Sequence, residues 1–159
     1  MEKRLNIGNK EIVLKFNDGA NCWQSNLNIG GIHIELEIDF FFHKESEVDW
    51  DHFIGFFKHI DQNDRLKKIV TDSKQLALEV GKAFYRECYE EVSDYKMEFS
   101  NSIIYKGKTD GNYIKDGYSY SLVFNYWTKR DNGIFGDEYG IYLVEVENHF
   151  IVGARRHQC

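Results

Sequence analysis

Apolar periodicity changes twice along this 159-residue chain, and the order of those changes limits what it can fold into. In the first stretch apolar residues recur at every second position: Ile12, Leu14 and Phe16, then Ile32, Ile34, Leu36, Ile38 and Phe40. Period two means strands with one buried and one polar face. From Trp50 the spacing becomes three and four. Trp50, Phe53, Ile54, Phe57 and Ile60 form one run. Leu66, Ile69, Val70, Ser73, Leu76, Ala77, Val80, Phe84, Cys88 and Val92 form the next. That is the helical period. After Tyr95 alternation returns, most clearly in Tyr118, Tyr120, Leu122, Phe124 and Tyr126. The pattern predicts an α+β fold in the order βββ-αα-ββββ: an antiparallel sheet of six to seven strands with helices packed on one face. No linker, repeat or low-complexity stretch interrupts it, so residues 1–159 form a single domain, long enough to bury a core.

Strands are expected at Lys10–Phe16, Asn21–Ile29, Ile32–Phe42, Met97–Lys106, Tyr118–Thr128, Glu138–Glu147 and Phe150–Arg156. Gly30-Gly31 between two extended runs reads as a hairpin turn, and Asn148-His149 as another. Asn17-Asp18-Gly19 and Lys108–Asn112 read as turns, and Arg130–Asp137 as a loop. The first helix is expected from Ser46, where Ser46 and Asp49 resemble a capping box. Gln62-Asn63-Asp64 ends that helix, and Asp72 with Gln75 reads as a further cap that would split the second helical region.

Acid is concentrated between Gly31 and Asp51. Glu35, Glu37, Asp39, Glu45, Glu47, Asp49 and Asp51 face one cation, Lys44, giving a local charge of −6, the same as the whole chain. Glu35, Glu37 and Asp39 fall on one strand face about 7 Å apart, and such neighbours repel unless a cation relieves them. One account of the block is a solvated strand face followed by acids that suit a helix start. The other is an anionic surface that steers a cationic partner. On the second account the seven carboxylates bind the partner, with Trp50 and Trp127 as aromatic anchors. Asp49 and Trp50 equally fit the helix start and the core. Trp127 lies on the opposite strand face from Tyr118–Tyr126, so it is expected to be exposed.

Several functions are disfavoured. An acidic balance with a pI near 5.5 argues against direct nucleic-acid binding, and Lys67–Lys68, Lys129–Arg130 and Arg155–Arg156 are isolated doublets. No run approaches the roughly 20 apolar residues of a membrane span, and the start lacks a signal-peptide apolar region, so a cytoplasmic protein is expected. Cys22, Cys88 and Cys159 are too few and too scattered for a disulfide frame or zinc site, and read as free thiols. The six histidines form no metal motif, although His52 and His59 lie two helical turns apart and can share a face. Gly107, Gly111 and Gly117 are too loosely spaced for a phosphate loop. No catalytic residue, cofactor or metal is assigned, and a non-enzymatic, protein-binding role is expected. The alternative is a small-molecule-binding or hydrolytic domain with a cleft between sheet and helices, for example around His33 and Glu35.

The chain also resembles the small acidic immunity proteins encoded beside bacterial polymorphic or contact-dependent toxins. Three features carry the resemblance: one small acidic domain without a catalytic motif, the strand–helix–strand organisation, and the closing segment GIYLVEVENHFIVGARR from Gly140 to Arg156. The resemblance implies an inhibitor that blocks a cognate toxin, often a basic nuclease, by covering its active site or a nearby surface. It transfers no individual contact residue.

Overall fold

The computed structural model describes residues 1–39, 44–62, 64–88, 93–108, 117–130, 133–137 and 140–158. The chain runs β1 (Glu2–Ile7), β2 (Lys10–Asn17), β3 (Cys22–Ile29), β4 (Ile32–Ile38), a 3-10 turn (Glu45–Glu47), α1 (Trp50–Ile60) and α2 (Arg65–Cys88). It continues β5 (Ser93–Lys108), β6 (Tyr118–Arg130), β7 (Gly133–Gly136), β8 (Gly140–Glu147) and β9 (Phe150–Gln158). All nine strands join one sheet in the order β1-β2-β3-β4-β5-β6-β8-β9, with β7 paired to β6.

The α+β class holds, and the sheet departs from expectation in two ways. Among the described residues it has nine strands where six or seven were expected. β1 carries only Leu5 and Ile7 as its inward signal (7% and 6% exposed), among charged and polar neighbours. β7 is four residues long and lay inside an expected loop. The second departure is orientation: β4 pairs β5 in parallel, from Glu35↔Ser102 to Ile38↔Tyr105, whereas every other pair among the described residues is antiparallel. Parallel neighbours need a long crossover, and α1 with α2 supply it.

Local boundaries also move. α1 starts at Trp50, not Ser46, because Asp49 is the residue whose carboxylate accepts the His52 N–H (3.0 Å). Ser46 sits inside the 3-10 turn, which is closed by the Glu47 carboxylate accepting the Lys44 N–H (3.0 Å). α2 runs unbroken past Asp72 and Gln75, with Gln75 donating instead to Glu79 (2.8 Å). Gly30 and Gly31 both adopt positive φ (57° and 82°), as the two-residue β3–β4 hairpin turn requires. The expected extension of β4 over Phe40–Phe42, the expected helical positions 89–92, the turn residues Thr109–Asn112 and the strand start at Glu138 lie outside the described residues.

The strand register places Trp23, Leu36, Ile103, Leu122, Phe124, Tyr142 and Val144 on one sheet face, all at most 1% exposed. Both helices cover that face. α1 sets Phe53 and Phe56 against Tyr105 (ring centroids 5.2 and 4.8 Å), Phe56 against Tyr120 (5.2 Å) and Trp50 against Trp23 (5.6 Å). Such offset and edge-on aromatic contacts add to plain area burial. The last turn of α1 reaches two sheet turns at once. Asp61, just past the helix, accepts from the Gly30 N–H (3.2 Å), and His59 bonds the Asn148 carbonyl (3.1 Å). These belong to the β3–β4 and β8–β9 turns, with β5 and β6 between them in the sheet order, so the sheet coils around the helix end.

α2 packs tightly on the sheet at Gly81, where an added Cβ would stand 2.7 Å from the Tyr126 ring. Farther along, Phe84 underlies the Arg156 guanidinium (4.2 Å). Arg156 makes a two-pronged ion pair with Asp137 (2.7 and 2.9 Å), and the Tyr142 hydroxyl donates to the same carboxylate (3.0 Å). The Asp137 side chain is 4% exposed. β9 carries one extra residue, Val152, opposite the Glu145–Val146 step, and Val152 and Phe150 are each 55% exposed.

Two stability outcomes are expected. Gly81→Ala gains up to about 1 kcal/mol of helix propensity. The overlap with Tyr126 costs about 1–3 kcal/mol of overpacking, so denaturant melts should show a net loss. Asp137→Asn leaves the partly buried Arg156 guanidinium without its charged partner and should cost about 1–3 kcal/mol in the same measurement.

Candidate partner-binding face

The sheet face turned away from the helices is covered by no described element. Along its middle the register lines up Lys15, Gln24, Glu37, Ile104, Ser121 and Glu145 across six strands. A neighbouring row runs through Asn26, Glu35, Ser102, Val123, Leu143 and Arg155. The two rows mix carboxylates, amides, hydroxyls and a short apolar strip, all projecting from backbone held in ladder hydrogen bonds.

Glu35 and Glu37 stand together on this face, as alternation along β4 predicts. Glu37 accepts from Gln24 Nε2 (2.7 Å), and Gln24 in turn accepts from Asn17 Nδ2 (2.9 Å). Glu35 is exposed and has no hydrogen-bond or ion-pair partner among the described residues. The Asp39 N–H donates to the Tyr105 carbonyl (2.9 Å), continuing the β4–β5 pairing by one residue, and its side chain is half-buried. Among the described residues, the contact that eases the repulsion expected between Glu35 and Glu37 is a neutral amide and not an ion pair.

The remaining acids of the block sit on the helix side of the sheet. Glu45 pairs with Lys3 (2.7 Å), whose Nζ also lies 5.3 Å from the centre of the Trp50 ring. Glu47 closes the 3-10 turn. Asp49 caps α1 and pairs with Lys108 (3.1 Å). The His52 N–H, and after it the Lys108 ammonium, hold its carboxyl below the usual carboxylate range. Asp51 is exposed in the first turn of α1. Trp50 donates its indole N–H to the Glu45 carbonyl (3.0 Å) and packs edge-on against Trp23 and Phe53, so it walls the core. Trp127 is 38% exposed on the open face, its ring lying over Gly136, where a Cβ would come within 2.7 Å. The structure thus keeps Glu35, Glu37 and Trp127 on one face and separates them from Glu45, Glu47, Asp49, Asp51 and Trp50.

Sequence reasoning missed a second charged group on the same face. Glu145 accepts from Lys106 Nζ (2.6 Å) and Ser121 Oγ (2.7 Å), with Arg155 Nε at 3.4 Å. Burial works to raise the Glu145 pKa, but the bonds from Lys106 and Ser121 outweigh it and hold the carboxyl below its ordinary value. Alternation marks each of these positions as polar; only the register across β5, β6, β8 and β9 brings them together.

A cavity of about 660 Å³ also lies on the outer side, bordered by Arg4, Val13, Lys15, Gln24, Asn26 and Glu35. The space between α1 and the sheet is filled by Phe53, Phe56, Tyr105 and Tyr120, none more than 2% exposed. His33 and Glu35 project from β4 on the open face, away from that space. His52 and His59 do share a face of α1, with the Tyr118 ring against both (4.8 and 5.2 Å). His52 Nδ1 is hydrogen-bonded to the Tyr105 hydroxyl, and burial, with the Asp49 charge second, pushes that phenol above its ordinary pKa. Among the described residues no three His, Cys, Asp or Glu side chains converge as metal ligands. Cys22 is buried, and burial raises its thiol pKa. No described helix is long and apolar enough to cross a membrane.

In comparisons with known proteins, no family model, no curated sequence and no solved structure matches this chain.

Asp49→Ala should cost about 1 kcal/mol in denaturant melts at neutral pH, and Asp49→Ser should recover most of it. The folded carboxyl titrates below its ordinary value of about 3.9, so its contribution is present above that pH and is lost as pH falls through the folded value. The difference between wild type and Asp49→Ala should therefore shrink in acid.

Proposed function

We propose that this chain is a non-enzymatic, cytoplasmic inhibitor that binds a basic protein, in the manner of an immunity protein neutralising a toxin of nuclease type, and that the open sheet face around Glu35 and Glu37 receives the partner. The observation that carries the reading is the contrast within the acid block. Glu45, Glu47 and Asp49 are consumed by a lysine, a 3-10 turn and a helix cap, whereas Glu35 projects from a rigid strand with no partner among the described residues. An unneutralised carboxylate on a stiff scaffold raises the local concentration of a cationic partner and speeds encounter. Trp127, near the end of β6 on the same face, supplies the aromatic area that protein interfaces favour.

The filled space under α1 weighs against the reading of a small-molecule or hydrolytic domain built on a sheet–helix cleft. The proposal places the partner on Glu35, Glu37, Asp39 and Trp127. It leaves Glu45, Glu47, Asp49, Asp51 and Trp50 to the helix side, where Glu47, Asp49 and Asp51 are exposed.

The test starts from capture out of source-cell lysate at low salt, followed by a salt gradient. A basic protein released by salt, and blocked in its own activity by an equimolar amount of this chain, is the expected result. The triple variant Glu35→Lys, Glu37→Lys, Asp39→Lys should then associate at least about 10-fold more slowly with that protein while melting near the wild-type temperature. A folded variant that associates at the wild-type rate would place the interface elsewhere and overturn the assignment of this face.

A further inference from the structure

We propose that His59 is a pH-sensitive latch: its neutral ring ties the β8–β9 turn to the corner between α1 and α2, and a second ring proton releases that turn. His59 is the penultimate residue of α1 and Arg65 the first of α2. Arg65 Nη1 lies 2.7 Å from His59 Nδ1 and also bonds the His59 carbonyl (3.0 Å). Arginine can only donate, so Nδ1 must accept. The ring proton therefore sits on Nε2 and is donated to the Asn148 carbonyl (3.1 Å). Both ring nitrogens are committed in one tautomer, with no lone pair left free.

The turn depends on these bonds. Asn148 holds a left-handed backbone conformation (φ 56°). Its carbonyl also accepts from the Tyr120 hydroxyl (2.9 Å), its side-chain oxygen takes the Tyr118 N–H (2.9 Å), and its own N–H donates to the Tyr118 carbonyl (2.8 Å). A proton added at Nδ1 would point one donor at another and set two positive charges about 2.7 Å apart. The Arg65–His59 bond must then break, and the ring must leave its place under the turn or lose its own partner.

The charged and titratable neighbours do not rescue the protonated ring. From α2 comes Arg65, from the β8–β9 turn His149, and from β6 the phenols Tyr118 and Tyr120. On α1 itself Lys58 adjoins, and Asp61, the nearby carboxylate, is bonded to Lys10 (2.6 Å). Burial, then the Arg65 and His149 charges, hold His59 below its ordinary pKa, against the opposing effect of its bond to Asn148. The sign follows. A histidine with a depressed folded pKa contributes stability that is complete above its unfolded value of about 6.5 and is lost as pH falls through the folded one.

His59→Gln separates titration from bonding, because glutamine can accept from Arg65 and donate to Asn148 but takes no proton in this range. Between pH 7.5 and 5.5 the wild type should lose at least about 3 °C of melting temperature more than His59→Gln. At pH 5.5, after correction for intrinsic rates, the Asn148 amide should exchange about 10-fold faster in wild type than in the variant, while the Leu36 and Ile103 amides match. Identical pH dependence in the two proteins would overturn the latch. If His59→Gln does not fold, the wild-type ring decides by nitrogen NMR. A neutral ring protonated on Nε2 that gains its second proton together with loss of Asn148 protection supports the proposal; protonation on Nδ1 at neutral pH, or titration without loss of protection, overturns it.

Discussion

Two antiparallel meanders meet along one parallel seam, and the rest of the molecule is arranged around it. β1 to β4 form one meander, and β5, β6, β8 and β9 the other. The seam itself is short, four residue pairs from Glu35↔Ser102 to Ile38↔Tyr105 and one further bond from the Asp39 N–H. A parallel seam cannot be closed by a tight turn, so the chain must leave the sheet and return. That excursion is α1 and α2, and it supplies the layer that buries one side. On the helix side the seam is sealed by Phe53 and Phe56 against Tyr105. On the other side the same paired residues present Glu35 and Glu37. The core and the proposed binding face are thus the two surfaces of one set of backbone hydrogen bonds.

Most elements were legible because period two and period 3.6 each extend over several residues here. What the pattern did not carry was orientation. A helical stretch between strands can return a chain either way, and nothing in Ile32–Ile38 or Ser93–Lys108 by itself reports the direction of its neighbour. β1 escaped notice because Leu5 and Ile7 alone mark its buried face, and β7 because GIFG is too short to establish a period. Asp72 and Gln75 show the opposite failure. They have cap chemistry, but inside a continuous helix the backbone donors a cap would serve are already bonded.

The candidate face was legible in half. Alternation along β4 set Glu35 and Glu37 on one side, and alternation along β6 set Trp127 on the side opposite Tyr120 and Tyr126. Contiguity in sequence misled for the rest. Glu45 to Asp51 follow closely in the chain but stand beyond the end of β4, where Lys3, Lys44 and Lys108 engage Glu45, Glu47 and Asp49. The Glu145 cluster is the converse, since Lys106, Ser121 and Arg155 reach it from three other strands. Linear charge counts describe neither arrangement, because register decides which charges become neighbours.

The extra residue in β9 has a consequence for how copies of this protein behave toward one another. The last strand of an open sheet offers a ladder of donors and acceptors that another chain could extend. Val152 interrupts that ladder partway along, throwing the following residues out of step, and Arg155 and Arg156 add charge beyond it. Strand-by-strand growth from this rim meets a mismatch within a few residues. The described rim of the sheet can therefore stay unpaired without seeding growth into a fibre.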